Sequence, residues 1–229
     1  LSVVGFAVLV VGVFDSSYGR RWPAVALLVI CCLLTVQRNE VWATEMSLWR
    51  DAVQKGPYQA RGRVHLGTSM RKAGDLDGAR EQFETAVRLE PGNLAARTNL
   101  ATTMYEQALG TDGAGSTLRA AATHYQHVLM ADPKDREALT NLGNTRLALG
   151  DTAAAVAAYG RAAEAHPNYA AAFANLAQIG MAQGDYASAV TYLERVVRIE
   201  PAAAAGYREL GQARAGLGDL PGSLDSFRR

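Results

Sequence analysis

Residues 167–201 read PNYAAAFANLAQIGMAQGDYASAVTYLERVVRIEP, from one proline to another. Apolar residues three or four apart mark one face of a helix, and the stretch carries two such faces in series. Leu176 and Ala177 lie on the first, Ala189, Leu193 and Val196 on the second. Gly184-Asp185 separates them. Gly can end a helix in the left-handed conformation, and Asp can cap the helix that follows. Proline then closes the second helix and opens another unit. The stretch therefore predicts a pair of antiparallel helices.

The same stretch recurs. Prolines at 57, 91, 133, 167 and 201 are separated by 34, 42, 34 and 34 residues, and a fixed spacing of this size points to a repeat architecture. Aligned on those prolines, Leu66-Gly67, Leu100-Ala101, Leu142-Gly143, Leu176-Ala177 and Leu210-Gly211 superpose. So do Ala79, Ala121, Ala155 and Ala189, with Ser223 in the last copy. Phe83, Tyr125, Tyr159, Leu193 and Phe227 form a further column, and Ala86, Val128, Ala162 and Val196 another. The small residue beside the Leu lets two helices approach closely. Gly-Asp recurs at 74–75, 150–151 and 218–219 as well as 184–185. The second copy departs from the pattern. It holds LGTDGAGST between its helices, read as a surface loop over 107–116.

These columns resemble the tetratricopeptide repeat. The resemblance implies an all-α fold, a TPR αα-superhelix or solenoid. The expected units are 60–93, 94–135, 136–169, 170–203 and a truncated 204–229. Trp49 and Ala52 fall in phase with the aromatic and Ala columns, so 43–58 reads as a half-repeat capping helix.

The N-terminal part is different. The first 36 residues carry only Asp15, Arg20 and Arg21 as charges, and two apolar runs, 1–14 and 22–36, suggest transmembrane helices over 1–42. Trp22 and Trp42 are 20 residues apart, about 30 Å along a helix, and tryptophans favour membrane interfaces. Arg38, inside that span, can snorkel outward. The run fits a secretion signal poorly, because a second apolar segment precedes it and no small-residue cleavage site follows. A buried soluble hairpin is the alternative. The chain opens with Leu inside an apolar run and stops within a repeat, which suggests a piece of a longer protein. Cys31 and Cys32 are adjacent, with neither disulfide-framework nor zinc-site spacing.

LTVQRNEVWATEMSLWRDAVQKGPYQARGRVHLG, residues 34–67, resembles the junction in transmembrane-and-TPR proteins of the TMTC type, which are related to protein O-mannosyltransferases. The matching residues are Arg38, Asn39, Trp42, Leu48, Trp49, Asp51, Pro57, Leu66 and Gly67. The resemblance implies a lipid-linked sugar donor handled by an upstream domain, with the repeats outside the cytoplasm. The family's catalytic acidic residues belong to an early loop this chain does not contain, so no catalytic residue is carried over. A membrane-tethered assembly scaffold with no catalytic parent, and the tail of a membrane polysaccharide ligase, are the alternatives. Arg20 and Arg21, in the short connection between the apolar runs, agree with a cytoplasmic connection and an extracytoplasmic arm.

Composition excludes one class. With 23 basic and 22 acidic residues, a net charge of +1, the chain lacks the basic excess of a general nucleic-acid binder. It holds no Gly-rich phosphate loop, no G-x-S-x-G and no H-E-x-x-H, so no cofactor or catalytic metal is expected. His124 and His127 share a helical face, but two histidines without a third ligand read as a solvated surface.

The expected activity is binding. In this family the first helices of successive units line a groove for an extended peptide or protein partner. Here they contribute Arg61, His65, Thr68, Arg71, Asn99, Thr102, Tyr105, Asn141, Asn144, Asn175, Gln178, Arg208, Glu209 and Gln212. Asn99, Asn141 and Asn175 share one column. A carboxamide both donates and accepts, so it can pair with any peptide backbone. The pattern resembles the asparagine ladder of the O-linked N-acetylglucosamine transferases and predicts a grip centred on the middle three units. His65 and Glu209 replace Asn in the outer copies. A chaperone-type carboxylate clamp is not expected, because Val64 and Thr68 occupy the columns where Lys and Asn are needed and Glu137 would repel an acidic tail.

Overall fold

A computed structural model describes residues 21–109, 111 and 113–228. The described residues form twelve α-helices and no strand: α1 (Arg21–Val41), α2 (Glu45–Lys55), α3 (Ala60–Lys72), α4 (Leu76–Leu89), α5 (Leu94–Ala108), α6 (Gly115–Ala131), α7 (Arg136–Ala148), α8 (Thr152–Ala165), α9 (Ala170–Gln183), α10 (Tyr186–Ile199), α11 (Ala204–Gly216) and α12 (Leu220–Arg228). Helices α1–α4 belong to one compact unit and α5–α12 to a second.

In the first unit, α2 packs on α3 and α3 on α4. The join between α1 and α2 is a tight turn rather than a linker. Thr44 caps α2 by accepting from the Ser47 amide at 3.0 Å, and the Thr44 amide donates back to the Ser47 hydroxyl at 3.1 Å. That hydroxyl also donates to the Val41 carbonyl at 2.9 Å, tying α2 to the end of α1. The second expected membrane span corresponds to α1. Among the described residues no helix is long and apolar enough to cross a membrane. The first expected span lies outside the described residues, as do the side chains of Trp22 and Arg38. Leu27, Val29, Ile30, Leu33, Leu34 and Val36 of α1 are all exposed.

In the second unit, α5·α6, α7·α8, α9·α10 and α11·α12 form the closest pairs, and each pair packs on the one before. The turns are those the Gly-Asp pairs predict. Gly150, Gly184 and Gly218 have φ of 79°, 77° and 86°, and Gly74 in the first unit has 84°. Each following Asp accepts from the backbone three residues on: Asp75 from Gly78, Asp151 from Ala154, Asp185 from Ser188 and Asp219 from Gly222. These bonds to Ser188 hold the Asp185 carboxyl below the usual carboxylate range. The loop expected over 107–116 is shorter, since Gln107, Ala108, Gly115 and Ser116 are helical; Gly110 and Asp112 lie outside the described residues. Helix α5 has 15 residues against 13 in α3, and α6 has 17 against 14 in α4. Most of the insertion therefore lengthens helices, which satisfies its backbone groups internally.

Within each pair, the small residue of the first helix meets the aromatic or Leu column of the second. Phe83, Tyr125, Tyr159 and Leu193 are at most 1% exposed, and Ala79, Ala121, Ala155 and Ala189 are fully buried. A methyl added at Gly67 would lie 2.9 Å from the Phe83 ring; one at Gly211 would lie 2.8 Å from Phe227, and one at Gly143 2.5 Å from Tyr159. Ala177 joins the same core cluster as Leu193, where the opposing side chain is not a ring. Phe227 is 53% exposed, and with Leu220 and Leu224 it leaves an apolar face on α12.

The proline carbonyls reveal a device that the column alignment did not identify. Arg63 and Arg97, six residues after their prolines, donate to the carbonyls of Pro57 (3.0 Å) and Pro91 (2.8 Å). Arg161 and Arg195, from later helices, do the same for Pro133 and Pro167, both at 3.3 Å. Carbonyls at helix ends lack intrahelical partners, and a guanidinium can reach them from either side.

Gly143→Ala should destabilise the fold by about 1–3 kcal/mol, because the Tyr159 ring must move. In a Tyr159→Leu background the same change should cost far less, as it does where Ala177 accompanies Leu193. Urea unfolding of the four proteins of this double-mutant cycle measures the coupling.

Candidate peptide-binding face

The predicted groove residues divide between the two units. Arg61, His65, Thr68 and Arg71 lie on α3, and each is at least partly exposed. His65 is not open on both sides: the Trp49 ring of α2 stacks on it, centroids 4.1 Å apart and planes 12° from parallel. Trp49 therefore does for α3 what a preceding repeat would do, and its place in the aromatic column has that use. The Thr68 hydroxyl turns back onto the Val64 carbonyl at 2.8 Å.

The other ten lie in the second unit, on its four first helices. Asn99, Thr102 and Tyr105 are on α5, Asn141 and Asn144 on α7, Asn175 and Gln178 on α9, and Arg208 and Gln212 on α11. All are half-buried or exposed, and Glu209 on α11 is half-buried. Their environments differ in a way that column positions alone did not predict. Thr102 and the Tyr125 hydroxyl share a 2.9 Å hydrogen bond, and the Thr102 hydroxyl also donates to the Thr98 carbonyl at 3.0 Å. The Tyr159 hydroxyl donates to Asn144 Oδ1 at 2.5 Å. By contrast Asn99, Asn175, Gln178 and Gln212 make no side-chain hydrogen bond among the described residues.

The tyrosines are therefore core rings whose hydroxyls surface among the groove residues. Burial pushes the Tyr125 phenol well above its ordinary value, while hydrogen bonds from Thr102 and Asn141 act the other way and Glu137 and Glu106 add to the rise. Tyr159 is pushed up to about 12, mainly by burial and then by neighbouring Tyr105. Sequence reasoning missed both roles. The signal was present: the two tyrosines of the aromatic column accompany Thr102 and Asn144, whereas Leu193 accompanies Gln178. Among the described residues no group of three or more His, Cys, Asp or Glu side chains is gathered as a metal site. His124 is half-buried and His127 exposed.

Comparison with known proteins agrees with this geometry. The tetratricopeptide repeat pattern matches residues 65–123, 105–170, 140–203 and 175–229, together well over half of the chain. The chain belongs to the tetratricopeptide repeat family. It is also 32% identical over 78 residues to the protein O-mannosyl-transferase TMTC1 of Homo sapiens, and equally to that of Mus musculus. That stretch is 34% of this chain and only 9% of the human protein, so the chain matches a small part of those relatives. Solved structures of similar fold include PilW, a type IV pilus biogenesis factor, with a TM-score of 0.68 at 18% identity over 84% of this chain and 86% of that one. MamA gives 0.63 at 22% identity over 74% and 88%. YrrB, described as a TPR protein with an unusual peptide-binding site, gives 0.58 at 15% identity over 78% and 88%. At these identities the likeness is one of fold.

Two outcomes follow for the tyrosines. Asn144→Ala leaves the Tyr159 hydroxyl without its acceptor and should cost about 1–3 kcal/mol of stability, a loss that Tyr159→Phe should largely relieve. An unfolded tyrosine ionises near 10.0, below the folded value of about 12. Above the lower value the unfolded chain binds fewer protons than the native one, so stability is full below it and falls as pH rises through the folded value. Unfolding midpoints across the alkaline range should show that decline, reduced in Tyr159→Phe.

Proposed function

We propose that the first-helix face of α5, α7, α9 and α11 holds an extended peptide or protein segment. The chain would then be the partner-recruiting arm of a larger, membrane-bound, glycosyltransferase-like protein. The observation that carries the binding reading is the column of carboxamides on successive first helices, of which Asn99 and Asn175 have no partner among the described residues. A polar group that can both donate and accept, left unpaired at a half-buried position, complements the N–H and C=O groups of a backbone. We assign no catalytic step to these residues. Any lipid-linked sugar would be bound by parts of the protein outside this chain.

Two observations support the membrane-bound parent. Helix α1 exposes Leu27, Val29, Ile30, Leu33, Leu34 and Val36 over about half of its circumference, an apolar face that lipid or other apolar helices could cover. The likeness to TMTC1 supports a sugar-transferring parent, and with Arg20 just before α1 and Arg21 at its first position it supports an extracytoplasmic arm. A membrane-tethered scaffold is the competing reading, and the sequence of the full-length protein would separate them. Further membrane helices with an acidic pair in the first extracytoplasmic loop favour the transferase.

The double change Asn99→Ala/Asn175→Ala should weaken binding of an unstructured peptide by about 1–3 kcal/mol, at roughly 0.5–1.5 kcal/mol per hydrogen bond. Circular dichroism should show unchanged helicity. Equal affinities would remove the carboxamides from the binding reading. A reporter fused to the C-terminal end should be active only outside the cytoplasm.

A further inference from the structure

The column that packs each helix pair also sets which groove side chains are free. Where it supplies tyrosine, a first-helix polar group is tied to the hydroxyl: Thr102 to Tyr125 at 2.9 Å, and Asn144 to Tyr159 at 2.5 Å. Asn144 accepts through its oxygen, which leaves only its N–H donors for a ligand. The Thr102 hydroxyl is doubly engaged, since it also donates to Thr98. In the α9–α10 pair the column holds Leu193, which has no hydroxyl, and both Asn175 and Gln178 keep donor and acceptor without a partner among the described residues. Gln212 on α11 is likewise exposed and unpartnered.

An extended backbone presents both N–H and C=O groups, so a carboxamide with both functions free pairs with it better than one whose oxygen is taken. We infer that Tyr125 and Tyr159 decide where along the face an uncharged, extended peptide segment is held: most tightly over α9 and α11, at Asn175, Gln178 and Gln212, less over α5, where Asn99 is free but Thr102 is engaged, and least over α7. The complement is uncharged because these three side chains are uncharged, and adjacent Arg208 and Glu209 on α11 cancel in net charge. The inference rests on the groove reading above. It moves the grip from the middle three units toward the C-terminal end of the second unit.

The test uses the full chain in detergent. An array of uncharged dodecapeptides of Ala, Pro, Ser and Thr selects one binder, whose dissociation constant is then measured by fluorescence anisotropy, with helicity and melting recorded for each variant. Gln178→Ala, on an exposed position, should weaken binding roughly two- to tenfold, the loss of one hydrogen bond. Asn144→Ala should weaken binding less than Gln178→Ala does, because its oxygen is already taken by Tyr159. Tyr159→Phe keeps the packed ring and frees the Asn144 oxygen, so it should tighten binding by roughly two- to tenfold. Binding that survives with equal losses from Asn144→Ala and Gln178→Ala, or with no gain from Tyr159→Phe, overturns this inference alone. A wild-type chain that captures no peptide on the array overturns the groove reading and this inference with it.

Discussion

The two helices of each repeat meet where a glycine or alanine of the first faces a ring or a leucine of the second. That contact has almost no slack: the Cβ position of Gly143 is 2.5 Å from the Tyr159 ring. The ring is buried only because the small residue lets the backbones close. Once they close, Leu142 and Ala155 are buried as well, and the polar side chains of the first helices, Asn144 and Gln178 among them, stay on their outward faces. The turns serve the same contact. Gly150 in the left-handed conformation and Asp151 as a cap reverse the chain in a few residues, short enough to keep the helices side by side.

The same column links packing to binding chemistry. A phenylalanine or leucine at that place contributes only volume. A tyrosine contributes volume and a hydroxyl, which must find a partner when the ring is buried. Thr102 and Asn144 are those partners, and both stand in the row of side chains proposed to meet a ligand. Core and groove are therefore chemically coupled at α5 and α7 and uncoupled at α9, where Leu193 asks for nothing.

The first unit and the second differ in what covers a helix pair. At α3, the Trp49 ring of α2 stacks on His65, so a single helix does the work of a preceding repeat. At α12, Leu220, Leu224 and Phe227 stay exposed, although Phe227 packs on Gly211 as its counterparts do. Phe83 is fully buried and Phe227 is 53% exposed, although each packs on the glycine of its own pair.

The all-α repeat architecture was legible in the sequence because it is governed by local rules that recur at fixed spacing. Gly-Asp at 184–185 states a helix end and a helix start, and proline at 201 states a boundary, whatever lies nearby. The aromatic column was readable for the same reason. Which side chains of the first helices remain free was not readable, because it depends on atoms brought together from separate helices. Asn144 and Gln178 share a column, and Tyr159 against Leu193 is a difference the sequence displays; that the Tyr159 hydroxyl reaches Asn144 at 2.5 Å is decided by the approach of α7 to α8. The placing of the eight extra residues was likewise decided in three dimensions. Their place between the two helices suggested a surface loop, but α5 and α6 take up part of them as extra helical residues, whose backbone satisfies its own hydrogen bonds.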